Sequence, residues 1–131
     1  MAEDKRESSQ PTKLGTVHIA DEVVAIIAGL ATSEVNGVAS MSGGIARDIA
    51  VALGRKNLSQ GIKVDLEGER AAIDIYVILK YGLRIPDVAW AIQENVKKAV
   101  ANMTGLKTKR INVNVQGISF PDSIEKSEKV K

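Results

Sequence analysis

Residues 62–79 alternate between apolar and polar side chains, with one interruption at residues 67–70. The apolar positions are mostly isoleucine, valine and leucine, and they recur every second residue on both sides of the interruption. A period of two is typical of strands that are buried on one face only. The interruption contains a glycine and three charged residues, which predicts a turn. The segment is therefore interpreted as a β-hairpin.

The pattern changes to a helical period after Pro86, a residue that suits the first turn of a helix because it has no N–H to leave unpaired. Apolar residues then recur every three or four positions, and Thr104-Gly105 predicts the end of the helix. Alternation returns at residues 111–115, which predicts a further strand. The C-terminal half of the chain is therefore predicted to run strand, strand, helix, strand.

A second helical pattern lies between a short predicted strand at residues 16–19 and another at residues 38–41. Asp21 is placed to cap this helix, and the Asn36-Gly37 pair predicts its end. Five apolar residues fall on one face of the predicted helix and are expected to contact the core: Val23, Ile26, Ile27, Leu30 and Ala31.

The other face of that helix carries small residues instead of charged ones. Ala25, Ala28 and Gly29 would allow another segment to approach the helix backbone closely. Two interpretations stay open. This face is covered by a loop or by the N-terminal strand of the same chain, or it is a surface for a partner or for self-association into a homo-oligomer.

The strands carry polar residues between their apolar ones, so one sheet face is predicted to contact water and the other to be covered by helices. This pattern predicts an α+β fold, a two-layer sandwich with a mainly antiparallel sheet and two main helices on one face. The folded domain is expected at residues 14–120, between a flexible tail at residues 1–13 and a flexible charged tail at residues 121–131. The predicted water-facing residues are Lys63, Asp65, Asp74, Tyr76, Asn112, Asn114 and Gln116.

Composition narrows the chemistry that this fold can support. The 131 residues contain no cysteine and one histidine, so disulfides, thiolate metal sites and histidine-rich metal sites are excluded, and no cofactor is expected. No acid or base occupies an expected core position, and His18 has no partner that the sequence can assign, so an enzyme is not expected. The longest uncharged helical run, residues 23–33, is too short for a membrane span, and no signal peptide is recognisable. We therefore expect a cytoplasmic protein.

Nucleic-acid binding is the second class of function to weigh. The formal net charge is only +2, and the predicted open sheet face offers one aromatic residue, Tyr76, beside Asp65 and Asp74. Platforms that stack single-stranded RNA need several aromatic residues and a basic surround. A small regulatory RNA-binding module therefore stays as the alternative, and an interaction protein is the expected class.

A glycine-rich stretch at residues 42–60 offers a weak candidate for an anion site. Two adjacent glycines precede a short helical pattern, and backbone N–H groups in such a place can bind an anion. The phosphate-loop pattern is absent, so a solvated loop is the simpler interpretation. The candidate residues are Gly43, Gly44, Arg47, Arg55 and Lys56.

Trp90 lies well away from the apolar stripe of its predicted helix when successive residues are placed about 100° apart. Two interpretations are open, because the indole is either covered by a loop or tail or exposed as an anchor for a partner. Tryptophan is enriched among the residues that dominate protein interfaces. We predict that Trp90 is at least partly exposed and contributes to partner binding.

Several blocks spread along the chain also occur together in one known family. They are Ile19-Ala20-Asp21-Glu22-Val23, Gly37-Val38, Asp74-Ile75-Tyr76, Tyr81-Gly82, Val88-Ala89, Gln93 and Val113-Asn114-Val115-Gln116-Gly117-Ile118. With these blocks the chain resembles the alkaline shock protein family, the envelope stress response family of Gram-positive bacteria. The resemblance covers residues 14–120 and rests on the order of the blocks, not on one motif.

The resemblance implies a non-enzymatic cytoplasmic protein of cell-envelope homeostasis or stress response. Some family members self-assemble and lie beneath the membrane through a membrane-anchored partner, and others are associated with genes of fatty-acid metabolism. The family is not defined by a catalytic motif, so the resemblance assigns no functional residue here. We therefore expect a protein that self-associates or docks on a protein partner, and that does not insert directly into lipid.

Overall fold

The structure is a computed structural model that describes residues 7–41 and 60–120. Within these ranges the chain forms six strands and two helices. Their order is β1 (Glu7–Thr12), β2 (Gly15–Ala20), α1 (Asp21–Ser33), β3 (Val38–Met41), β4 (Ile62–Glu67), β5 (Arg70–Lys80), α2 (Ile85–Thr104) and β6 (Lys107–Ser119).

Strand β5 lies at the centre of the main sheet because it has partners on both sides. β6 pairs with it in parallel along its whole length, whereas β4 and β3 pair antiparallel with its first and second halves on the other side. Ile62 of β4 lies opposite Ile75, and Met41 of β3 lies opposite Val77. β3 and β4 therefore follow one another along the same edge of β5.

Both helices cover one face of this sheet, and the core lies between the two layers. Buried and half-buried residues alternate along most of β5, and the buried residues of α2 recur every fourth position, as the two periods predicted. α2 has Pro86 in its first turn and is followed by Gly105 at φ 76, which confirms both predicted ends. The predicted two-layer α+β sandwich is confirmed. The largest fully buried side chains are Leu66, Ile73, Ile75, Leu79, Ile92 and Leu106.

Helix α1 contacts the core through a face that is only partly the predicted one, since Ile27 and Ala31 are buried as predicted. Ala28 has no exposed surface, and Ala25 and Gly29 are also buried, whereas Val23 and Leu30 are 45% and 48% exposed. The small side chains let the helix lie close to its neighbours, and Val24 and Ile27 fill the core beside them. The prediction that these three small residues form a self-association surface is therefore corrected: their own chain covers them.

The beginning of α1 also differs from the prediction. The helix starts at Asp21, and Ala20 occupies the position before it without a side-chain hydrogen bond, so the predicted cap is wrong. Asp21 and Glu22 instead bring two carboxylates to the first turn, where the helix dipole favours negative charge. The helix ends at Ser33, before the Asn36-Gly37 pair that was predicted to end it.

The flexible tail predicted at residues 1–13 is wrong for residues 7–12, which form β1 and pair antiparallel with β2. Ser8 Oγ donates to the carbonyl of Gly68 at 2.6 Å, and Gln10 Nε2 donates to the carbonyl of Thr104 at 3.0 Å. These bonds tie the β1–β2 hairpin to the main domain through polar side chains. Because such contacts produce no hydrophobic period, the sequence pattern did not predict the strand. The tails predicted at residues 1–6 and 121–131 lie outside the described residues.

Candidate interaction surfaces

An apolar groove of about 370 Å³ runs between α1 and α2 on the side away from the sheet. Of its lining side chains, Met103 is 72% exposed, and Val23 and Leu30 are close to half exposed. Val23 and Leu30 lie two turns apart on α1, so they form one continuous edge of the groove. The lining residues are Val23, Ile26, Ile27, Leu30, Ala31, Glu34, Ala99 and Met103.

The two helices that form the groove are held together by a polar contact as well as by packing. Asn95 Nδ2 of α2 donates to the carbonyl of Ala31 at 2.7 Å, near the end of α1. Glu34, just beyond α1, accepts a longer bond of 3.5 Å from the same amide. Because the walls are fixed in this way, the groove is a preformed feature of the fold.

The helical pattern of the sequence predicted that Val23 and Leu30 contact the core, so it did not indicate the groove. One sequence feature indicated that α1 could have a second apolar surface. After its first turn, the helix carries no charged residue on either face. A helix that is apolar on one side and small on the other has two faces able to contact apolar surface. The pattern alone could not tell which face would remain exposed.

Trp90 is 61% exposed, which confirms the predicted exposure. It lies about 180° around α2 from Ala99, because the two residues are nine positions apart and each position turns the helix by about 100°. The indole therefore faces away from the groove. Its contribution to partner binding stays a prediction.

Replacing Trp90 by alanine is expected to change the free energy of unfolding by less than about 0.5 kcal/mol, because the side chain gives up little burial on unfolding. The measurement is urea denaturation followed by circular dichroism. The wild-type indole should also emit at long wavelength and be quenched by iodide. A loss of about 3 kcal/mol or more, as for a buried tryptophan, would contradict the exposed position.

The open face of the sheet is polar, as predicted: none of its seven predicted residues is buried. Its groups pair largely with one another, since Asn112 Nδ2 donates to Asp74 Oδ1 at 2.8 Å, and Lys63 Nζ lies 5.6 Å from the ring centroid of Tyr76. The ring of Tyr76 is half-buried beneath this ammonium. Such a face has no free aromatic platform for bases, so it adds no support to the RNA-binding alternative.

His18 lies on β2 and is exposed, and it has partners that the sequence did not reveal. Ser9 Oγ lies 3.0 Å from His18 Nδ1, and Glu7 Oε1 lies 3.5 Å from the same nitrogen. A serine–histidine–carboxylate relay needs the hydroxyl and the carboxylate on different ring nitrogens. This group is therefore a cross-strand polar contact of the hairpin and does not have the geometry of a nucleophilic relay.

Residues 7–41 and 60–120 contain no group of three or more histidines, cysteines or acids that could hold a metal ion. The anion-site candidates Gly43, Gly44, Arg47, Arg55 and Lys56 all lie outside the described residues. Neither helix of the described part combines the length and the apolar character needed to span a membrane.

The chain is similar to several proteins in sequence. YqhY of Bacillus subtilis is 43% identical over 111 residues, which cover 85% of this chain and 82% of YqhY. YloU of the same organism is 37% identical over 109 residues, which cover 82% of this chain and 91% of YloU. A Streptococcus pyogenes protein named stress response regulator gls24 homolog is 28% identical over 111 residues, which cover 84% of this chain and 62% of that protein.

Among solved structures, the MamM CTD covers 74% of this chain and 96% of its own length at 15% identity, with a TM-score of 0.46. A likeness this low supports no conclusion about function. The sequence model of the alkaline shock protein 23 family, described as having a cell envelope-related function, matches residues 9–120. Because this match spans nearly the whole described fold, the chain belongs to the alkaline shock protein/Gls24 family.

Proposed function

We propose that this chain is a non-enzymatic interaction protein of cell-envelope homeostasis or stress response, which binds protein through the groove between α1 and α2. The observation that supports the proposal is the exposure of Val23, Leu30 and Met103 around one apolar groove. Contiguous apolar surface on a small domain is typical of protein contacts, because covering it removes apolar area from water.

The occupant is a second copy of the chain or a different protein, and the shape of the groove favours a helix in either case. A groove between two packed helices suits the apolar face of a third helix, whose side chains at every third or fourth position would contact Val23, Leu30 and Met103. We expect the different protein to be membrane-anchored. It would hold this protein, itself cytoplasmic, at the membrane.

Two features support a role without catalysis. The Glu7–Ser9–His18 group lacks the geometry of a relay, and Asp74 of the open face accepts a hydrogen bond from Asn112 within the sheet. A link to fatty-acid metabolism belongs to the same proposal and rests only on the family resemblance. The exposed Trp90, on the other side of α2, is a second candidate contact for the partner.

The variants Leu30→Glu and Met103→Glu test the groove. Each puts a carboxylate where apolar contact is proposed, so binding through the groove should weaken by about tenfold or more. Self-association is measured by sedimentation velocity at high protein concentration. Binding of other proteins is measured by quantitative mass spectrometry of material captured from the native cell.

Leu14→Glu is the matched control, because Leu14 is fully exposed in the β1–β2 turn and does not line the groove. Wild type and Leu14→Glu should show the same mass and capture the same proteins, and both groove variants should lose them. All variants should keep the circular dichroism spectrum of the wild type. If the groove variants behave like the control, binding takes place elsewhere and the proposal fails.

A further inference from the structure

A second cleft lies along the outer edge of β4, beside the first turn of α1. It encloses about 590 Å³ and shares no lining residue with the apolar groove. One wall is formed by Asp21, Glu22 and Ala25, and the other by residues 62–65 of β4. The cleft thus joins a strand edge to the N-terminal turn of a helix, and its walls are more polar than those of the groove.

Every second residue of β4 turns its backbone groups toward this cleft. Two observations show which residues of this strand bond to β5. Glu67 and Arg70, on either side of the two-residue turn, form a hydrogen-bonded pair, and Tyr76 N donates to the carbonyl of Gly61 at 2.8 Å. Hydrogen-bonded positions alternate along an antiparallel pair, so the N–H and C=O groups of Ile62 and Val64 point away from β5. No strand in the part of the chain that the structure describes pairs with this side of β4.

The charges around the cleft are mainly negative. Asp21, Glu22 and Asp65 contribute three carboxylates, and no described residue forms an ion pair with any of them. The cation of the lining, Lys63, lies over the ring of Tyr76 on the open face of the sheet. The cleft therefore presents unneutralised carboxylates next to unpaired strand backbone.

We infer that this cleft binds an extended peptide segment of a partner protein, which adds to β4 as a further strand and carries lysine or arginine at alternate positions. The backbone of the segment bonds to Ile62 and Val64, as in other proteins that bind peptides at a sheet edge. Alternate side chains of a strand point to opposite faces. The apolar set therefore packs over Ile62, Val64 and Ala25, and the cationic set meets Asp65 on the open face. Asp21 and Glu22, on the α1 wall of the cleft, attract the cationic segment at longer range. The inference does not depend on the function proposed for the apolar groove.

The test uses the full chain and a short fluorescent peptide of alternating lysine and valine, with binding followed by anisotropy. The lysine peptide should bind, and its affinity should fall as salt is added, because exposed charge pairs are screened. Two control peptides should not bind measurably: one with glutamate in place of lysine, and one with methylated backbone nitrogens. Methylation removes the donors that a strand needs for pairing.

Two variants of the protein separate the backbone contribution from the charge contribution. Val64→Pro removes an outward N–H without removing a bond to β5, and proline is tolerated on an edge strand in that orientation. Glu22→Lys combined with Asp65→Lys reverses two exposed charges of the cleft. Each change should weaken binding of the lysine peptide by about tenfold or more. Glu94→Lys, an exposed charge reversal on α2 outside the cleft, should leave binding unchanged.

Several outcomes would overturn the inference. They are equal binding of the glutamate peptide, no binding of the lysine peptide by the full chain, or binding that Val64→Pro and the double charge reversal both leave intact. A fall in the sedimenting mass of an oligomer on Val64→Pro would assign the edge to a second copy instead. If Val64→Pro loses its circular dichroism spectrum, the charge-reversal variant and the two control peptides decide the outcome.

Discussion

Replacing Ile75 by alanine is expected to lower the free energy of unfolding by about 4 kcal/mol. Ile75 has no exposed surface and lies on the central strand, with Ile62 on one side and Val113 on the other. Because strands flank it on both sides and the helices cover it, the structure cannot easily close the space that the lost atoms leave. The measurement is urea denaturation followed by circular dichroism. The slope of the free energy of unfolding against urea concentration should be the same as in the wild type.

Ile78→Ala is the matched control, since it makes the same change on the same strand. Ile78 is only half-buried and lies opposite Gly117 on the other face of the sheet. Removing this side chain should lower the free energy of unfolding by about 1 kcal/mol. The side chain of Ile78 buries less apolar area on folding than that of Ile75, and its removal leaves no enclosed cavity. Equal losses at the two positions would mean that both faces of the sheet are covered, which contradicts the two-layer arrangement.

Replacing Gly37 by alanine is expected to cost about 3 kcal/mol or more, for two reasons that act together. The residue has φ 111, a conformation that side chains rarely allow, and an added Cβ would lie 2.7 Å from Leu83 Cδ1 and 3.1 Å from Val88 Cγ2. The backbone cannot move freely to relieve this, because Lys80 N donates to the Gly37 carbonyl at 2.7 Å. Thermal and urea denaturation would both report the loss.

Gly82→Ala separates the two contributions. Gly82 has φ 98, but an added Cβ would meet nothing within 4 Å, so only the backbone term applies and the cost should be about 1–2 kcal/mol. A Gly37→Ala variant as stable as Gly82→Ala would show that Leu83 and Val88 move aside without cost. Both glycines belong to the blocks by which the chain resembles its family, and the structure gives a backbone reason for glycine at each.

The candidate binding surfaces show where sequence pattern stops being informative. Trp90 was identified because a large aromatic residue outside an apolar stripe is visible in the order of residues alone. The groove was missed because Val23 and Leu30 belong to a helix on which both faces could have been buried. The cleft at β4 was missed because Ile62 and Asp21 are 41 positions apart, and only the packing of α1 on the sheet brings them together.

The sequence by itself determined the elements whose period is unambiguous. β4, β5, α2 and β6 each contain one apolar face and one polar face, so local periodicity dictated both their type and their orientation, and with them the two-layer fold. The family resemblance was equally a property of residue order. These features depend on residues close to one another in the chain, and a single sequence contains that information.

Only the tertiary structure decided the features that depend on which surfaces meet. β1 is held by bonds from Ser8 and Gln10 to carbonyls 60 and 94 positions away, and polar side chains give no period that would predict such contacts. α1 buries its small residues together with Val24 and Ile27, because this face packs closely against the sheet and α2. That choice left Val23 and Leu30 exposed, so the proposed interaction surface is a consequence of packing and not of local sequence pattern.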